Sequence, residues 1–426
     1  MTPRRGFWRR PWLLVVAAIA IALLLALRWL AQPPRVAALI TNRVGAALGL
    51  QITSKGVSEY RLRGTPMLVL RDVVVREPGA DHTLLQAKRI YIDLPWSTLR
   101  AGGGDLTAKR IEVDEPQLDL PTLQHWLATR PPTEARLPTL TDGLRIRDGA
   151  ISNNDWRIDG IHADVPVLSR TQPLHGRLRG RYLDAPLSIP VDLAVAIVHP
   201  EALIKAGNTG FAAHGRITIE RGRDWRLPAT VALSGPLRFG KDDLRITPAR
   251  LGMAATFETT DRRVPFALGL HGPLRFDEAT WTLAPAGIAL RGRGSEAGDP
   301  VPTLDAKGTL ALGRRLTLQL DGRIAQWPAG WPALPPPIGQ SRSALPFVLA
   351  YDGVPGFADV ASLNVQRDAT RFVGRFRLPQ VLEWISQADG TPLPPLAGTL
   401  TTPELEMAGA KLEGVEIDFG DEEEAL

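Results

Sequence analysis

Leu316-Thr317-Leu318-Gln319-Leu320-Asp321-Gly322-Arg323-Ile324 alternates without a break: Leu316, Leu318 and Leu320 face one way, Thr317, Gln319 and Asp321 the other. A period of two places every second side chain on the same side of an extended backbone, so this is a strand with one apolar and one polar face. Repeated over many strands, such alternation is the pattern of antiparallel sheet.

The pattern recurs on both sides. Upstream, Met67–Val75 (MLVLRDVVV) is a strongly apolar strand turned by Pro78-Gly79. Lys88–Leu94 sets Ile90, Ile92 and Leu94 against Arg89, Tyr91 and Asp93. Arg110–Asp114 puts Ile111 and Val113 on one face, and Gln117–Leu120 continues after Pro116. Strands are then expected at Leu144–Arg147, Trp156–Ile161, Leu187–Val198, Ala212–Glu220, Ala229–Ser234, Leu244–Pro248, Ala254–Thr260, Phe266–His271, Thr280–Ala284, Ile288–Arg293 and Thr309–Leu312. Downstream lie Phe347–Tyr351, Ala361–Arg367, Phe372–Leu378, Gly398–Thr401, Glu404–Met407 and Val415–Phe419. Helical spacing is confined to Arg35–Leu48, Pro121–Thr129 and Pro379–Gln387. The first of these either caps the end of a core or lies against a membrane surface.

Ser234-Gly235-Pro236-Leu237-Arg238-Phe239 returns 37 residues later as His271-Gly272-Pro273-Leu274-Arg275-Phe276, each copy followed by a polar turn and a new strand. The spacing suggests a sheet grown by repeating a unit that buries its face against the next.

The N-terminus is of another kind. Trp12 to Leu27 is wholly apolar, and Arg4, Arg5, Arg9 and Arg10 precede it with no acid in the first thirty residues. A spanning helix takes about 20 apolar residues, and Trp12–Leu30 supplies this length if Arg28 snorkels to the headgroups. Trp12 and Trp29 fall where an interfacial aromatic belt belongs, and the arginines orient the N-terminus to the cytoplasm. A cleaved secretory signal is the alternative, but Arg28-Trp29-Leu30-Ala31-Gln32-Pro33 offers a poor cleavage site.

Composition removes several function classes. The net charge of +5 equals the five arginines of the first thirty residues, so the remaining 396 are formally neutral and nucleic acid is not an expected partner. With no cysteine, thiol nucleophiles, disulfides and cysteine-ligated metals are excluded. The seven histidines (82, 125, 162, 175, 199, 214, 271) stand apart, Gly292–Gly298 reads as a hairpin turn and not a phosphate loop, and no Gly-x-Ser-x-Gly occurs. Asp114-Glu115 and Asp242-Asp243 read as acids that face apart or are solvated. Neither a catalytic residue, a metal site nor a cofactor is expected.

Three quoted stretches in order, Pro66–Val75, Leu84–Leu94 and Arg110–Leu120, follow a single anchor and a short helix ending in Gly49-Leu50. This resembles the start of bacterial AsmA-family proteins, whose first domain is similar to the chorein-like N-terminus of bridge-type lipid transfer proteins. Leu144–Val165 and Leu378–Phe419 resemble the family's recurring strand unit and its closing helix and strands. The resemblance implies a mainly β fold: an N-terminal transmembrane helix, then an elongated, repetitive antiparallel sheet curled into a groove, with a few short helices. It divides the chain into a basic cytoplasmic tail (1–11), the helix (12–30), a chorein-like periplasmic domain (31–130), a β-groove (131–326), a proline-rich linker (327–345) and a C-terminal β region with an acidic tail (346–426). It further implies a single-pass inner-membrane protein with a periplasmic bulk, acting in outer-membrane biogenesis by binding or passing phospholipid. The expected partners are the inner membrane, phospholipid acyl chains and periplasmic or outer-membrane proteins. Candidate groove-lining residues are Ile90, Ile92, Leu94, Ile111, Val113, Leu316, Leu318, Leu320, Phe372 and Phe376. The other function class that fits is a closed periplasmic scaffold for a secretion or outer-membrane assembly complex, carrying no lipid.

Overall fold

The computed structural model describes residues 45, 49–55, 59–61, 66–100, 107–129, 137–240, 243–294, 300–328, 339, 341, 343–381, 396–407 and 410–420. The expected membrane helix, with Arg4, Arg5, Arg9, Arg10, Trp12 and Trp29, lies outside them, as do all but one residue of Arg35–Leu48 and most of Pro379–Gln387. Among the described residues no helix is long and apolar enough to cross a membrane. They form two compact units: Met1–Glu134 with Pro138–Leu168, and Ala135–Leu137 with Ser169–Leu426.

The first unit is built on β1 (Gln51–Ser54), β2 (Glu59–Arg61), β3 (Met67–Arg76), β4 (Thr83–Asp93), β6 (Arg110–Asp114), β7 (Gln117–Asp119), β9 (Leu144–Ser152) and β10 (Arg157–Val165). A side pair is formed by β5 (Thr107–Ala108) and β8 (Thr139–Leu140). Helices α1 (Trp96–Arg100) and α2 (Leu120–Ala128) complete it. Antiparallel sheet was expected throughout, but β9 runs parallel to β6 and β7. The chain crosses over through α2 before returning, and a crossover connection is what parallel pairing demands. That return is also why Leu144–Val165 belongs to the first unit instead of beginning the second.

Residues pair across this sheet in apolar rungs. Leu68, Ile92, Ile111, Leu144 and Val165 form one; Leu70, Ile90, Val113, Ile146 and Ala163 form the next. Asp72 takes φ 48°, and beyond it the core-facing set of β3 passes from Leu68 and Leu70 to Val73 and Val75. One left-handed residue thus lets the run MLVLRDVVV keep a single core. α2 lies over this core through Leu123 and Trp126. It starts where Asp119 caps it, accepting the Thr122 N–H at 2.9 Å, with Pro121 in the first turn where no N–H is needed.

The second unit is an antiparallel meander in which each strand pairs with the next: β11 (Leu174–Asp184), β12 (Leu187–Ile197), β13 (Asn208–Arg221), β14 (Trp225–Phe239), β15 (Asp243–Glu258), β16 (Arg263–Asp277), β17 (Thr280–Gly292), β18 (Thr303–Leu312), β19 (Leu316–Gln326), β20 (Leu345–Gly353), β21 (Ala361–Arg367), β22 (Thr370–Phe376), β23 (Leu396–Met407) and β24 (Ala410–Phe419). One helix, α3 (Pro200–Ile204), joins β12 to β13. β19 and β20, on either side of the proline-rich segment, are neighbours in one ladder.

The strands are longer than alternation alone implies. Leu244–Pro248 and Ala254–Thr260 are one strand, as are Thr280–Ala284 with Ile288–Arg293, and Gly398–Thr401 with Glu404–Met407. In the first two cases a β-bulge carries the strand past its proline: β15 gains a residue beside Pro248, and β17 beside Pro285. Proline, which cannot donate to the ladder, is tolerated at a bulge. β11 was not expected at all, because Arg177, Arg179 and Arg181 alternate with a face diluted by Gly176 and Gly180.

The 37-residue repeat is the hairpin β14–β15 followed by the hairpin β16–β17. Gly235 and Gly272 stand beside the two bulges with φ 153° and 144°. A Cβ on Gly235 would lie 2.3 Å from the Pro248 carbonyl oxygen, and one on Gly272 2.2 Å from that of Pro285. The repeated glycine is therefore a requirement of the repeated bulge.

Candidate functional site

The apolar residues of the second unit align into rungs that run from strand to strand. Val231, Met253, Leu268, Leu290, Leu304 and Ile324 form one rung across β14–β19. Leu233, Leu251, Leu270, Ile288 and Ala306 form the next. A third joins Leu237, Ile246, Leu274, Leu283, Leu310, Leu318 and Tyr351. The opposite face carries charge, as where Asp192 accepts both Arg177 Nε and Nη2 at 2.8 Å with Arg179 and Arg216 close by.

Burial grades along the strands. In the third rung Leu237, Ile246, Leu283, Leu318 and Tyr351 are buried, whereas Val231, Met253, Leu268, Leu290, Leu304 and Ile324 of the first are half-buried. Helix α3 touches β13 and β14, where Leu203 packs on Leu237, Ile246 and Ala249. Among the described residues no ladder returns β24 to β11. The sheet is nevertheless far from flat. Gly356 lies after β20, at the opposite strand end from Arg221 of β13, yet a Cβ on Gly356 would stand 3.9 Å from the Arg221 guanidinium. Accumulated strand twist accounts for this approach of the segment after β20 to the end of β13.

The margins differ chemically. At the margin with the β14–β15, β16–β17 and β18–β19 turns, the last apolar rung is Phe239, Leu244, Phe276, Trp281, Leu312 and Leu316. Phe239 is 52% exposed and Leu312 41%, and the Phe276 and Trp281 rings lie 4.8 Å apart. At the other margin, the β13–β14 and β15–β16 turns enclose a recess of about 800 Å³ lined by arginines, acids, Thr259, Thr260 and Trp225. Glu258 accepts Arg226 Nε at 2.5 Å and Arg263 Nη2 at 2.8 Å. Burial pushes its carboxyl up, the two guanidinium groups pull it down, and the pKa settles below the ordinary value.

The residues expected to line a groove fall on apolar faces. Ile90, Ile92, Ile111 and Val113 are brought together in the first unit. Leu94 lies just past β4, its N–H donating to the Pro66 carbonyl at 2.8 Å. Leu318 and Phe376 belong to one rung through Tyr351 and Ala361, and Leu316 and Leu318 sit in a packed cluster with these two residues. Leu320 and Phe372 occupy neighbouring rungs, the Phe372 ring lying over Gly374, whose Cβ would meet Cζ at 2.4 Å. Sequence reasoning passed over the central rungs of β14–β18 and the arginine-lined recess. Alternation within each strand could have found the former; the latter joins two separate turns.

Asp114 and Glu115 face apart, toward Arg89 at 2.9 Å and Lys88 at 2.6 Å. Of Gly292–Gly298, Gly292 is the last residue of β17, and 295–298 lie outside the described residues. Among the described residues no group of three His, Asp or Glu side chains could hold a metal ion. Compared with protein-family models, curated proteins and solved structures, the chain matches none.

Proposed function

We propose that this chain is an inner-membrane-anchored periplasmic protein of AsmA type that supports outer-membrane biogenesis by binding or passing phospholipid along a groove formed by the second unit. The observation that carries this reading is the unbroken set of apolar rungs across β14–β19, of which the one from Val231 to Ile324 is half-buried along its whole length. A face of this kind takes acyl chains wherever they lie along it, and each methylene removed from water contributes about 0.8 kcal/mol. Passage needs only continuity of that surface, so no nucleophile or metal is required. The basic start and apolar stretch Trp12–Leu30 supply the anchor.

Photo-crosslinking in living cells tests this at two adjacent positions of β14. Phospholipid adducts are expected with the photoreactive residue at Val231, on the apolar face, and not at Ala232, on the other. A second reading, the lipid-free scaffold for a secretion or outer-membrane assembly complex, is favoured by the packed cluster of Leu316, Leu318, Tyr351 and Ala361. Protein adducts alone at Val231 would support it and end the lipid reading.

A further inference from the structure

The recess between the β13–β14 and β15–β16 turns plays no part in carrying acyl chains, yet three of its features point to a ligand. Its cations are unequally committed. Arg226 and Arg263 are held by Glu258, whereas Arg223 and Arg262, exposed in the two turns, form no ion pair among the described residues. Its anions are placed alike: Asp224 and Asp261 sit beside those two arginines in the same turns. The recess therefore offers cationic and anionic side chains together, with little net charge. Trp225 is the third feature. It stands on the apolar face of β14 two positions beyond Leu227, its ring 5.8 Å from that of Phe257, and it also lines the recess. The apolar face of β14 thus ends beside a charged pocket, with an amphipathic indole at the boundary.

We propose that this recess binds the zwitterionic headgroup of a phospholipid, its phosphate on Arg223 and Arg262 and its ammonium on Asp224 and Asp261. Guanidinium groups suit phosphate because their paired N–H donors match its oxygens. The acyl chains then extend from Trp225 over Ala229, Val231 and Leu233. This rests on the lipid reading of the apolar face and adds to it the class of lipid and the margin where headgroups lie.

Native mass spectrometry of the full chain in detergent micelles, titrated with phosphatidylethanolamine, phosphatidylglycerol, diacylglycerol, phosphoethanolamine and inorganic phosphate, provides the test. Charge reversal at both turns, Arg223→Glu with Arg262→Glu, should weaken phosphatidylethanolamine binding at least about tenfold and leave diacylglycerol unchanged. Asp224→Asn with Asp261→Asn should erase a preference for phosphatidylethanolamine over phosphatidylglycerol. Unchanged phosphatidylethanolamine binding in both variants, or an equal fall in diacylglycerol in both, would overturn the headgroup site and leave the apolar face standing. Inorganic phosphate or phosphoethanolamine bound through the arginines while no lipid binds would mark a soluble-anion site and overturn the proposal. An unaltered chain that binds neither phosphatidylethanolamine nor diacylglycerol removes the lipid reading itself.

Discussion

The two units solve one problem in different ways. Both are sheets whose apolar residues align in cross-strand rungs, and both bend along a line of unusual backbone. In the first unit the line is set by left-handed residues, Asp72 in β3, Glu115 between β6 and β7, and Asp148 in β9. In the second it is set by bulges opposite glycines, Pro248 against Gly235 and Pro285 against Gly272. The decisive difference is what lies on top. α2 lays Leu123 and Trp126 on the first unit's rungs, and Leu68, Leu70, Val73 and Val75 are buried there. Across β14–β19 the rung from Val231 to Ile324 stays half-buried, while the rung through Leu237, Ile246, Leu283 and Leu318 is buried. An alternating strand becomes core or binding surface according to whether another element covers it.

That contrast can be broken by experiment, most sharply in the covered core. Leu70→Ala should cost about 2–5 kcal/mol, since a buried leucine loses both transfer energy and packing. Leu268→Ala, on the uncovered face, should cost about 1 kcal/mol because part of its surface is already in water. Denaturant unfolding of the full chain, with hydrogen exchange to assign the loss to one unit, compares the two. Equal costs would mean that the second face is as well covered as the first.

Next in size is the bend. Gly272→Ala should destabilise by about 1–3 kcal/mol, because its φ disfavours a Cβ and the Pro285 carbonyl occupies the space. Gly252→Ala, with nothing within 4 Å of the added atom, should instead gain roughly 0.5 kcal/mol. A neutral Gly272→Ala would show that the bulge, unlike Asp72 in the first unit, tolerates a side chain. The cover itself is tested by Asp119→Ala, which removes the α2 cap and should cost about 1 kcal/mol, read as faster exchange of the α2 amides.

The smallest effect is electrostatic and belongs to the polar face. The hydrogen bonds from Arg177 lower the Asp192 carboxyl to a pKa of about 2. Because the folded value lies below the unfolded one, its stabilising contribution is complete above the ordinary carboxylate range and is lost as the pH falls through that range toward 2. Asp192→Asn should remove this acid dependence, and a carboxyl NMR titration should place the midpoint near 2. A midpoint at the ordinary value of 3.8 would show the guanidinium cluster to be solvent-separated.

Much of this was legible residue by residue. Period-two alternation located β3, β6, β19 and β21 closely and the second half of β4, and Pro121 with the apolar spacing behind it located α2. The repeat at Gly235 and Gly272 was visible, though not its cause, which is a carbonyl on the next strand. Where the reading stopped short, a tertiary contact had overridden a local signal. Pro248 and Pro285 read as strand ends because proline lacks a ladder donor, and only the bulge beside each let the strand continue. The reading also made the sheet antiparallel, since nothing local marks the return of β9 alongside β6.

By itself the sequence determined a chain of many strands with one apolar and one polar face, a basic apolar N-terminal stretch, and the absence of cysteine chemistry. These depend on nearest neighbours along the backbone, where side-chain alternation is a geometric necessity. Tertiary structure alone decided which faces are covered, where the sheet bends, and that Arg223 and Arg262 share one recess. Those properties come from strand register and accumulated twist, which set residues far apart in sequence side by side.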